Sequence, residues 1–95
     1  MLIETDYKNG DTISFKLISG EEAIARLDEE TDTVFKLHKP MMLVQGQEGV
    51  GLAPFMFSVS PDAKFNLFKH SVSCITKTED NIGKQYTKQT TGILT

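Results

Sequence analysis

The chain has 95 residues, enough for one domain with a single modest core. Hydrophobic residues make up 39% and charged residues 24%, a balance that excludes a disordered or fibrous chain. A net charge of −3 argues against bulk electrostatic attachment to nucleic acid or acidic membranes, and no apolar run approaches the roughly 20 residues of a membrane span. The single cysteine, Cys74, excludes an internal disulfide and a multi-cysteine zinc site. Residues 1–10 show neither the basic nor the apolar stretch of a secretion signal, so a cytoplasmic protein is expected. Charge is unevenly spread. Residues 1–50 carry ten acids and five bases, residues 51–95 three acids and five bases. Either the second half builds a locally basic face or its lysines are scattered solvated charges.

Turn residues recur at short intervals along the chain, the pattern of many short strands. Asn9-Gly10-Asp11 marks a turn. Thr12–Ile18 alternates, with Ile13, Phe15 and Leu17 on one face, which predicts a half-buried strand. Ser19-Gly20 predicts a tight reversal into a second strand, Glu22–Asp28, with Ala23, Ala25 and Leu27 inward. Asp28 to Asp32 places four acids in five residues and reads as a solvated loop. Thr33–His38 predicts a third strand, interrupted by Pro40 and continued over Met41–Gln45. Gly46, Gly49 and Gly51 flank a hairpin tip. Leu52–Val59 predicts an apolar strand with Phe55, Phe57 and Val59 in register. Ser60-Pro61-Asp62 is a turn. Lys64–Phe68 and Val72–Lys77 are the last strands, joined by the polar turn Lys69-His70-Ser71. A helix is expected over Glu79–Gln89, N-capped by Thr78, with Ile82 and Tyr86 on one face. Gly83 weakens it.

About five or six short strands with frequent reversals predict an all-β, antiparallel, strongly bent barrel with a short C-terminal helix, in one domain. An incomplete barrel leaves two strand edges open, and the apolar Leu52–Val59 would be an exposed one. Pairing one edge with the other edge of a second copy closes a ring if the rotation permits.

The stretch Phe15-Lys16-Leu17-Ile18-Ser19-Gly20-Glu21-Glu22-Ala23-Ile24-Ala25-Arg26-Leu27 resembles the first motif of the Sm-like proteins. Asp32-Thr33-Val34-Phe35-Lys36-Leu37 is similar to that motif's closing segment. Phe68-Lys69-His70-Ser71-Val72-Ser73 is similar to the second motif of the bacterial Hfq branch, Tyr-Lys-His-Ala-Ile-Ser. The ending Thr90-Thr91-Gly92-Ile93 resembles Sm-like proteins of cyanophages and related marine phages. The likeness spans about Thr12 to Lys77. It departs from the family in a longer acidic loop, in Val34 at the base-stacking position, and in Lys36 where Asn is usual. A long hairpin is inserted between Gln45 and Lys64, and no N-terminal helix is evident.

The resemblance implies a non-enzymatic homomeric ring of about five to seven subunits. It further implies binding of single-stranded RNA, in a chaperoning or processing role and with no cofactor. Lys69 would contact phosphate and His70 a base or ribose, with Ser71 in the same turn. Stacking would fall to Phe35, or to His38 if it faces outward. Phe55, Met56, Phe57, Val72 and Cys74 would form the subunit contacts. Three other readings compete with this one. Lys69-His70-Ser71 could be a plain polar turn. The ring could be a scaffold for proteins, without RNA. The barrel could be a monomeric SH3-like adaptor. Two histidines on separate strands do not make a zinc site, which needs three or four ligands. Cys74, in an alternating strand, reads as a small buried apolar residue. The exposed carboxylates of Glu21-Glu22 and the acidic loop lack the burial that would make them catalytic acids.

Overall fold

The computed structural model describes residues 6–60 and 62–91. Six antiparallel strands are followed by one helix: β1 (Thr12–Leu17), β2 (Glu22–Glu30), β3 (Val34–Gly46), β4 (Gly49–Pro54), β5 (Lys64–Phe68), β6 (Val72–Lys77) and α1 (Asp80–Thr91). A single 3₁₀ turn, Lys69–Ser71, joins β5 to β6. The result is a small, strongly bent, barrel-like all-β fold with a short C-terminal helix. Among the described residues no helix is long and apolar enough to cross a membrane. The end of the expected tail, Gly92-Ile93, the Pro61 of the expected turn, and residues 1–5 lie outside the described residues.

The core follows the period-two pattern. Ile13 and Phe15 of β1 lie opposite Ala25 and Ala23 of β2, so each large side chain meets a small one. These four, with Leu27, Phe35 and Leu37, form one buried cluster. The β2–β3 ladder carries two irregularities, between Ile24 and Arg26 and between Leu27 and Glu29. Such bulges bend a strand and sharpen its twist, which curls the sheet.

β3 is the spine of the molecule. Its first part, Val34 to His38, pairs with β5, and its second part, Met41 to Gly46, pairs with β4. The change of partner occurs at Lys39, whose φ of 53° is left-handed, a region a non-glycine residue seldom adopts. Pro40 follows and has no N–H to give the ladder. The bend expected at Pro40 is thus made one residue earlier.

The sheet runs β4-β3-β2-β1-β6, with β5 beside β4 on the outer side of β3. Among the described residues β5 pairs only with β3, and β6 only with β1. No ladder joins β5 to β6, although one turn separates them in sequence. Each therefore keeps an edge that no described strand pairs.

Helix α1 covers the opposite face of the sheet. Ser14 lies across from Ile24, and its hydroxyl shares a 2.8 Å hydrogen bond with the Thr78 hydroxyl at the helix entrance. Ile24 and Tyr86 are both sealed from solvent. Thr78 is therefore not the N-cap. The Glu79 carboxylate accepts the backbone N–H of Asn81 (3.1 Å) and of Ile82 (3.0 Å), satisfying two donors of the first turn.

Three further expectations are corrected. The strand expected over Leu52–Val59 ends at Pro54, after beginning at Gly49. Pro54 pairs with Met41, and one further bond, from the Phe55 N–H to the Pro40 carbonyl at 3.3 Å, ends the contact; beyond it β3 turns away, so Met56 to Ser60 have no ladder to join. The expected wide hairpin tip shrinks to Gln47 and Glu48, followed by Gly49 at φ 116°. Finally, β2 extends through Asp28 to Glu30. The acids expected in a free loop instead carry ion pairs: Asp28 to Lys64 at 3.7 Å, Glu29 to Lys36 at 3.9 Å and Glu30 to Lys69 at 2.6 Å.

Candidate nucleic-acid interface

The Lys69–Ser71 turn forms a corner held from two sides. The Lys69 N–H donates to the Thr33 carbonyl at 2.9 Å, and the Ile18 N–H donates to the Ser71 carbonyl at 2.9 Å. The corner is thereby tied to the β2–β3 loop and to the β1–β2 hairpin. Both ties are backbone bonds, so its position is set by topology and not by side chains.

Alternation along β5 turns Phe65 and Leu67 inward and leaves Phe68 facing out, 54% exposed. The His70 ring stacks on Phe68 with centroids 5.7 Å apart and planes 14° from parallel. This exposed pair is the aromatic surface at the corner. Phe35, expected as a stacking platform, is only 5% exposed. It sits in the core, with Lys69 Nζ 5.2 Å from its ring centroid. It therefore offers no face to a base. His38 is also not brought to the corner. It pairs with Lys64, while Val34 pairs with Phe68. Four residues of β3 separate these registers, about 13 Å at strand rise. Its carbonyl instead faces the Tyr86 hydroxyl at 3.1 Å.

Lys69 is not a free cation. Its ammonium meets Glu30 Oε2 at 2.6 Å, and Tyr7 donates to Glu30 Oε1 at 3.1 Å. Burial first, and then this bond to an anionic acceptor, raise the Tyr7 pKa above its usual value. Glu30, 39 residues from Lys69 in sequence, was not expected at the site. Phe68 was also overlooked, although its parity in Lys64–Phe68 marks it as outward-facing.

The expected subunit contacts fall on the two borders of the sheet. Phe55 packs edge-on against Phe65, with centroids 6.3 Å apart, and is half-buried. Met56 and Phe57 are exposed, Phe57 at 84%, beside an apolar groove of about 290 Å³ walled by Met41, Pro54, Val59 and Phe65. Val72 and Cys74 lie on β6 at the other border. They do not share a face. The β1–β6 register shifts between Lys16 and Leu17, so Cys74 lies opposite Lys16 and is exposed, not buried as expected, while Val72 packs against the core. Among the described residues no three His, Cys, Asp or Glu side chains gather to hold a metal ion.

No protein-family model matches this chain, and no curated protein matches it significantly.

Proposed function

We propose that this protein is an Sm-like subunit. It assembles with copies of itself into a ring and binds single-stranded RNA at its β5–β6 corners. The observation that carries this reading is the pairing of two open edges, β5 and β6, with an exposed Phe68–His70 stack at the corner between them. Open edges are interaction-prone, and head-to-tail pairing of unlike edges generates a ring when the rotation closes. Phe55, Met56 and Phe57 lie at one border and Val72 and Cys74 at the other, which suits such pairing. Stacking of bases on Phe68 and His70 is tolerant of sequence, and repetition round a ring raises avidity. In this reading the protein acts in the cytoplasm, by binding and not by catalysis.

The test is fluorescence anisotropy with short U-rich and A-rich RNA at several salt concentrations. Phe68→Ala and His70→Ala should each weaken binding by about tenfold, at 1–3 kcal/mol per stacked base. The absence of binding at low salt would overturn the RNA reading. One observation favours a second reading, a ring used as a protein scaffold: Glu30 neutralises Lys69, the cation expected to meet phosphate.

A further inference from the structure

We infer that a separate cleft, between the end of β6 and helix α1, binds the phosphate groups of single-stranded RNA. This deepens the reading above and rests on it. The cleft has a volume of about 480 Å³, and its rim carries Lys77, Lys84 and Lys88. Lys84 and Lys88 are one turn apart on α1, which puts them on one face, and Lys77 closes β6 beside them.

Three features single out this place. First, among the described residues the ion pairs take Lys36, Lys39, Lys64 and Lys69, and none of the three cleft lysines. Asp80 is the one acid that lines the cleft, so cations outnumber anions there on a molecule of net charge −3. Second, the wall adds the hydroxyl groups of Thr12 and Thr87, neutral donors suited to phosphate oxygens. Third, no aromatic side chain lines it. The cleft therefore offers charge and hydrogen bonds but no base platform, which is the equipment for a nucleic-acid backbone and not for its sequence. The β6 strand spans from the aromatic corner to Lys77, a separation of about 20 Å at strand rise. One short strand of RNA can touch both. The corner stacks bases, and the cleft holds phosphates.

The test compares U-rich RNA, A-rich RNA and oligo-dT of equal length, titrated against the full chain over a range of salt. The principal variant is Lys77→Gln/Lys84→Gln/Lys88→Gln. Gln has a helix propensity close to that of Lys, so α1 is retained, and circular dichroism with native mass checks this. Affinity at low salt should fall about tenfold or more for all three probes alike, and the log–log salt slope should become shallower by about 2 per cleft engaged, at about 0.7 per phosphate. Asp80→Asn should raise affinity by about twofold. If the triple variant keeps its affinity and slope while Phe68→Ala loses binding, the cleft inference is overturned and the corner reading survives. If the triple variant loses binding while Phe68→Ala and His70→Ala do not, the cleft stands and the corner reading fails. If the wild-type chain binds none of the probes at low salt, both are overturned.

Discussion

The Tyr86 hydroxyl donates to the Lys39 carbonyl at 2.7 Å and accepts the Arg26 N–H at 3.1 Å. It thus ties α1 to β2 and to the bend of β3. Lys39 reinforces the contact, since its Nζ donates to the Thr90 carbonyl at 2.7 Å near the helix C-terminus, where the helix dipole favours a cation. The left-handed residue and the helix hold each other in place. Tyr86→Phe keeps the ring but leaves the Arg26 N–H and the Lys39 carbonyl short of a partner. It should lower stability by about 1–3 kcal/mol in a urea titration. A loss below about 0.5 kcal/mol would mean that water replaces the hydroxyl without penalty.

The same hydroxyl sets a pH dependence. Burial pushes the Tyr86 pKa up from 10.0 to about 12, against the lowering effect of its bond from Arg26. Between those values the unfolded chain releases the proton and the folded chain keeps it. Stability therefore is fully present below about pH 10 and is lost as pH rises towards about 12. Tyr7, raised in the same direction, adds to the slope. Tyr86→Phe should flatten the decline, and an unchanged slope would place its origin elsewhere.

Glu30 competes with phosphate for Lys69. Glu30→Gln removes that competitor while keeping a side chain of the same size. RNA affinity should rise by about twofold to fivefold, with a steeper salt dependence, as an ion pair worth up to about 1 kcal/mol is removed. Weaker binding would show instead that Glu30 positions Lys69 for the ligand.

Gly83 lies inside α1, where glycine costs about 1 kcal/mol relative to alanine. A Cβ added there would meet Thr78 Cγ2 at 3.9 Å, an ordinary contact. Gly83→Ala should raise stability by about 0.5–1 kcal/mol in the same titration. A loss would reveal crowding between the helix and Thr78.

The strands β1, β5 and β6 were legible from the residues alone, β1 and β5 by clean alternation and β6 by the turn before it and the helix signal after it. Failures came where a distant element decides the outcome. Ile24 has the parity of a solvent-facing residue in β2, yet it is sealed because α1 lies over that face. Phe55, Phe57 and Val59 keep the period of a strand, but the turn of β3 at Lys39 leaves Phe57 and Val59 nothing to pair with after the Phe55 N–H has bonded the Pro40 carbonyl. At the corner, the Lys-His turn was readable, whereas the choice between Phe35 and Phe68 as the exposed ring depended on strand parity. The Glu30–Lys69 pair joins two residues 39 apart, and no local pattern announces it.

Assembly is the claim on which the corner and its avidity depend, and native mass by light scattering tests it most directly. One chain weighs 10.6 kDa. The open β5 and β6 edges predict an assembly that holds together across a dilution series, and the Sm-like resemblance implies a particle of about five to seven such masses. A stable species of 10.6 kDa at high concentration would contradict the account.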